Sequence, residues 1–192
     1  MWDKYQKTLN SETNFSGIGL HSGVKVDVTL VPGNSNSGIV FKRTDLEKDN
    51  EIVANFKNVS SAKLCTKIEN NHGVSVSTIE HLLAAFYVCG IDNIIVNLNG
   101  PEVPIMDGSA KEFVKIINEV GLKTLEGKRK FVRVKKSVEL KKEDGRTISV
   151  KPSSQTFDVK FTLNYKKNPL IKTQINKINF AEKNLEDIVV AR

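Results

Sequence analysis

STIEHLLAAFYVCG, residues 77–90, sets a glutamate and a histidine side by side at the head of an otherwise apolar run. Ser77 followed three residues later by Glu80 has the spacing of a capping box, and Gly90 stands where a helix terminates, so the stretch predicts a helix over 78–89. From Leu82 to Val88 that helix is apolar nearly all the way round, which requires cover on more than one side. With Ile79, Leu82, Leu83 and Phe86 on one face, His81 projects from the opposite side above Ala84 and Ala85, where small side chains permit close approach. Two roles compete for the titratable pair. Glu80 can be a capping glutamate and His81 a helix-end histidine with a hydrogen-bond partner. Alternatively, an imidazole offered to zinc beside a carboxylate that takes a proton from water is a hydrolytic arrangement. The pair is not H-E-x-x-H, so further ligands have to come from elsewhere in the fold.

Outward from this helix, the N-terminal side is rich in strands. VKVDVTLVP (24–32) and GIVFKR (38–43) alternate apolar and polar residues about a GNSNS turn and read as an antiparallel hairpin. A further strand is expected within 62–69. On the C-terminal side, 93–98 reads as a strand, and Pro101 and Pro104 stiffen the loop after it. Ser109 with Glu112 repeats the capping signature, and Phe113, Ile116, Ile117 and Val120 before Gly121 mark a second helix. KTLEGKRK (123–130) is polar, contains a glycine and reads as a linker, dividing the chain into domains 1–126 and 127–192. The second part alternates over 131–140, 146–151 and 156–165, with an Asp144-Gly145 turn, and continues through a strand at 172–180 into a helix carrying Leu185, Ile188 and Val189. Strands with at most one short helix leave an apolar face such as Val159, Phe161 and Leu163 uncovered, so this domain reads as incomplete.

Composition narrows the function classes. The chain is 39% hydrophobic and 27% charged, and no window holds the roughly 18 uncharged apolar residues of a membrane span. MWDKYQKTLN lacks the apolar core of a signal peptide, so a cytoplasmic protein is expected. Cys65 and Cys89 are too few for a disulfide framework and belong to no C-x-x-C pair. Residues 1–126 carry 12 Lys and Arg against 15 Asp and Glu, whereas 127–192 carry 17 against 7. That basic excess, clustered around Lys128, Arg129, Lys130, Arg133, Lys135, Lys136, Lys141 and Lys142, suits a solvated face or an anionic partner. No zinc-finger pairing, aromatic RNA-binding block or recognition-helix pattern accompanies it, which argues against nucleic acid.

GIGLHSG (17–23), FKRTDL (41–46), STIEHLLAA (77–85), GIDNIIV (90–96) and GPEVPIMDGSA (100–110) together resemble the UDP-3-O-acyl-N-acetylglucosamine deacetylase family, zinc enzymes of lipid A synthesis in Gram-negative bacteria. The resemblance implies a two-domain α+β sheet-and-helix sandwich with the active site between the domains. It implies that His81 is a ligand to Zn2+ and that Glu80 is the general base toward the water that attacks the acetamide carbonyl. His21 in GLHSG and Asp107 in the MDG turn match other polar positions of the site region, in supporting roles; their alternatives are a loop histidine and a turn-forming aspartate. Lys135 and Lys136 are candidates for receiving the nucleotide diphosphate or an anionic inner-membrane surface, where an acylated substrate resides. The family's other two zinc ligands, a histidine and an aspartate on a later helix, and its histidine general acid have no counterpart, because the only histidines are His21, His72 and His81. The chain is therefore expected to be a C-terminally truncated fragment, inactive alone. The competing reading is a non-catalytic binding module for the nucleotide sugar or a partner.

Overall fold

The computed structural model describes residues 3–154, 157–165, 168–180 and 185–191. The chain forms two compact units, one built on Trp2–Arg129 with Glu186–Arg192 and the other on Lys130–Leu185. It is an α+β protein.

The first unit opens with strands β1 (Tyr5–Leu9), β2 (Thr13–Ile18), β3 (Lys25–Pro32), β4 (Ile39–Arg43) and β5 (Glu51–Val53). Short strands β6 (Val59–Ser61), β7 (Lys67–Glu69) and β8 (Ser75–Val76) lead into helix α1 (Glu80–Cys89), followed by strand β9 (Ile94–Leu98) and helix α2 (Lys111–Val120). Strand β10 (Leu122–Lys128) then pairs antiparallel with β1. Most of the polar stretch expected as a linker is thus a strand, because Lys123, Thr124 and Lys128 find ladder partners in Thr8, Lys7 and Tyr5, with the register shifting between Tyr5 and Lys7.

The central sheet has the order β2-β3-β9-β4-β5, with β9 parallel to β4 and every other pair antiparallel. The expected hairpin between β3 and β4 does not form, since β9 lies between them. Its apolar residues Ile94, Val96 and Leu98 are fully buried, and the most buried strand takes the middle of the sheet. The loop from Gly33 to Gly38 is long enough to step over one strand, a displacement of about 10 Å. Thr8 Oγ1 accepts the Gly33 N–H, and Asn93 Oδ1 accepts the Gly38 N–H, so both ends of that loop are anchored.

Period-two alternation puts Val26, Val28 and Leu30 of β3, Phe41 of β4 and Ile52 of β5 on one face of the sheet. They join Leu82, Ala85 and Phe86 of α1 and Phe113 and Ile117 of α2 in a single buried cluster. Phe113 meets Phe15 edge to face, with ring centroids 5.3 Å apart. Gly90 ends α1 in the left-handed region at φ 77°, as its position in the sequence requires. Arg129, one of the basic cluster, donates to both Asp92 oxygens at 2.7 and 2.6 Å and to the Gly90 carbonyl at 2.7 Å, so its charge fastens the end of α1.

The second unit holds two hairpins, β11 (Val138–Lys141) with β12 (Thr147–Val150), and β13 (Asp158–Tyr165) with β14 (Lys172–Asn179). Gly145, at φ 84°, turns the first of them where Asp144-Gly145 places the turn. Helix α3 (Glu186–Val189) belongs to the first unit, where Val189 is 9% exposed and its carbonyl accepts the Ala110 N–H. The start of the helix expected near 181–184, and Thr156 at the start of the expected third strand, lie outside the described residues. Among the described residues no helix is long and apolar enough to cross a membrane.

Candidate active site

The approach to α1 is not the expected capping box. Ser77 is captured by the loop after β9: it forms a parallel bridge with Glu102, its N–H donates to the Pro101 carbonyl at 3.0 Å, and its own carbonyl accepts the Val103 N–H at 3.1 Å. Its hydroxyl donates to the Pro101 carbonyl at 3.3 Å. The helix starts later, at Glu80, with Ile79 in the capping position and, among the described residues, no side-chain cap hydrogen bond. Between the two, Thr78 takes a positive φ of 56°, an uncommon conformation for a β-branched residue.

Glu80 is therefore free of the capping duty its spacing suggested. It is half-buried, and its Oε2 accepts the Thr66 N–H at 3.1 Å, which draws the carboxylate toward the loop ahead of β7. It is the acidic residue of the first turn of α1. His81 is half-buried too, and among the described residues its imidazole has no hydrogen-bond or ion-pair partner. Of the residues expected beneath it, Ala84 is half-buried, but Ala85 belongs to the core with Leu82 and Phe86.

His21 is exposed, and its backbone N–H, not its ring, reaches the site's framework. That N–H and the Ser22 N–H both donate to Glu102, at 3.0 and 2.7 Å. Asp107 is exposed as well; its Oδ1 accepts from the Ser109 N–H at 2.9 Å and the Ser109 hydroxyl at 2.8 Å, ordering the turn into α2 between Met106 and Gly108, both at positive φ. Ser109 Oγ in turn accepts the Lys111 N–H, a role one step removed from the capping box expected with Glu112. Lys135 and Lys136 are exposed residues of the second unit, outside its strands.

Glu102 is the residue that the motifs do not reveal. It is 1% exposed, and its oxygens accept from His21, Ser22 and the Thr78 hydroxyl, the last at 2.7 Å. Burial pushes its carboxyl up, but the His21 N–H, Ser22 and the Thr78 hydroxyl together outweigh burial and hold it below the usual carboxylate range. A signal exists in the sequence: between Asn93 and Met106 it is the single charged residue, and a lone carboxylate in an apolar, proline-stiffened run has to find donors elsewhere.

Among the described residues no three His, Cys, Asp or Glu side chains gather as a metal-binding group. His81, unpartnered and accessible, fits as one zinc donor; a full ligand set is not assembled from these residues.

The family model for UDP-3-O-acyl N-acetylglycosamine deacetylase (LpxC) matches residues 6–192. The chain is 45% identical over 183 residues to the UDP-3-O-acyl-N-acetylglucosamine deacetylase of Geotalea uraniireducens (strain Rf4), covering 95% of this chain and 58% of that protein. It is 47% identical over 161 residues to the protein of that name from Wigglesworthia glossinidia brevipalpis, covering 83% and 52%, respectively. With that of Aliivibrio fischeri (strain ATCC 700601 / ES114) the identity is 39% over 191 residues, covering 97% and 61%. The chain thus spans little more than half the length of the curated relatives it matches. On these matches the chain belongs to the UDP-3-O-acyl N-acetylglycosamine deacetylase (LpxC) family.

Proposed function

We propose that the chain carries the base and one metal ligand of a zinc-dependent deacetylase that removes the acetyl group of UDP-3-O-acyl-N-acetylglucosamine in the cytoplasm, in lipid A synthesis. The observation that carries this reading is the state of the pair at the head of α1: Glu80 is tethered by the Thr66 N–H, and His81 has no partner among the described residues. Zinc bound at His81, with ligands from the part of the family's length not matched here, would polarise the acetamide carbonyl and acidify water. Glu80 accepts the proton of the attacking water. One of its oxygens holds the Thr66 N–H, and the other is left for that proton. Water adds to the carbonyl carbon, the C–N bond breaks as the nitrogen takes a proton from a general acid in the part of the family's length not matched here, and acetate and a free amine result. His21 and Asp107 support the site through the loops they order, and Lys135 and Lys136 receive the diphosphate or the inner-membrane surface on which the acylated substrate lies. The domains of this reading are 1–126 and 127–192, and the chain alone is inactive.

Acetate release from UDP-3-O-acyl-N-acetylglucosamine, with zinc supplied, tests the proposal. Joined to the remaining C-terminal length of the Geotalea uraniireducens relative, the chain turns substrate over; by itself it does not. Glu80→Ala and His81→Ala in the joined protein each cost about 10² to 10⁴ in kcat. Undiminished turnover in both variants would sink the assignment, whereas substrate binding without turnover in the joined protein would mark a binding module.

A further inference from the structure

We infer that Glu102 is a positioning residue of the α1 site: its buried carboxylate, through the Thr78 hydroxyl, fixes the turn that aims Glu80. The inference rests on the reading of Glu80 as the base, and it concerns how that base is held rather than what it does.

Three observations converge on Glu102. A carboxylate at 1% exposure is costly unless its lone pairs are filled, and here they are filled by donors from two separate segments, the loop at His21 and Ser22 and the approach to α1 at Thr78. A packing role alone would be met by an apolar side chain of similar size. Secondly, the backbone bridge between Ser77 and Glu102 brings the chain alongside the carboxylate as a strand, and the helix begins only three residues later. The reversal is concentrated in Thr78, whose φ of 56° is one a threonine adopts only when its surroundings impose it. The bond of 2.7 Å from its hydroxyl to Glu102 Oε1 is the side-chain restraint at that point. Thirdly, the loop at Gly19 closes on the carboxylate so tightly that a Cβ there would stand 2.5 Å from Glu102 Oε2. The carboxylate has no other place to go.

The consequence for Glu80 is angular. Successive helical residues are about 100° apart around the axis, so the dihedral angles at Thr78 decide which way the first side chain of α1 points. Glu80 points at the Thr66 N–H. That amide is therefore a reporter of the base's orientation, independent of any reaction.

The test is amide hydrogen exchange on the chain itself, comparing Glu102→Gln, Thr78→Val and Thr78→Ser, with Glu80→Ala as the control that Thr66 protection depends on the carboxylate. Core amides of β3 and β9 register any global loss of stability. Glu102→Gln turns one acceptor oxygen into a donor facing a donor, and Thr78→Val removes the hydroxyl. Each is expected to speed Thr66 exchange about tenfold more than it speeds those core amides, while Thr78→Ser, which keeps the hydroxyl, stays within about twofold. Should Glu102→Gln fail to fold, the two Thr78 variants decide between them. The inference is overturned if Thr66 stays protected in Thr78→Val, or if Glu102→Gln frees His21 and Ser22 but leaves Thr66 untouched, which would make Glu102 a fastener of that loop alone. It is equally overturned if serine proves as damaging as valine. Because the readout is exchange, failure of the acetate-release assay and failure of this inference are separate results.

Discussion

Glu80 and Glu102 have opposite characters, and the difference lies in what surrounds each carboxylate. Glu80 is half-buried with one backbone donor on one of its two oxygens, whereas Glu102 is enclosed and engaged on both. Linkage makes the second testable. Its folded-state pKa is lowered by donors from His21, Ser22 and Thr78 despite burial, so over the interval between that value and the unfolded value of about 4.3 the unfolded chain binds more protons. The stabilisation is complete above about pH 4.3 and is lost as the pH falls through the folded value. Urea midpoints measured from neutral pH downward should therefore decline in the parent more steeply than in Glu102→Gln, which lacks this titration; parallel curves would contradict it. Gly19 offers a steric counterpart. A methyl there would press on Glu102 Oε2 and still closer on Ser22 Oγ, so Gly19→Ala is expected to destabilise the protein by about 1–3 kcal/mol in the same unfolding experiment.

At the scale of elements, the helix ends separate what local sequence determines from what it does not. Gly90 and Gly121 follow the last residues of α1 and α2 as their positions foretell, because a residue that must adopt positive φ is specified by its own backbone. Gly90→Ala, forcing a Cβ into φ 77°, should accordingly cost about 1 kcal/mol, read as a fall in melting temperature. The N-terminal ends mislead for one physical reason. Ser77 and Ser109 have the spacing of capping residues, but Ser77 is drawn into a bridge with Glu102 and Ser109 bonds to Asp107, partners that the serine-to-glutamate spacing does not reveal. The strands behave alike: the alternation of β3 and β4 is legible, but the insertion of β9 between them depends on a segment more than 50 residues further along the chain. Of the site itself, Glu80 and His81 stand out through their types and their place on an apolar helix. Glu102 does not, since its role is set by donors more than 20 residues away in sequence.

For the whole molecule, the contrast between the two units is one of burial. In the first unit Val26, Val28, Leu30, Ile94, Val96 and Leu98 are fully enclosed between sheet and helices. In the second, the β11–β12 register sets Val138 opposite Val150 and Leu140 opposite Ile148, four apolar residues on one face of a hairpin, all of them exposed. Phe161 and Ile175 of the other hairpin are exposed to a similar degree. A two-stranded hairpin without a packed face is marginal in water, because ladder hydrogen bonds that trade places with water stabilise little, whereas apolar burial supplies most of the driving force. The same unit carries the basic excess, so like charges along its strands add repulsion where burial is least. Amide exchange under native conditions should divide the protein accordingly. Amides in the β3–β9 and β4–β9 ladders are expected to exchange only with global unfolding, and those of β11–β12 and β13–β14 by local opening at least roughly a hundredfold faster, with added salt slowing the second group more than the first. Equal protection across both groups would mean that the hairpins share the cooperative unit of the core and that their exposed apolar faces do not limit their stability.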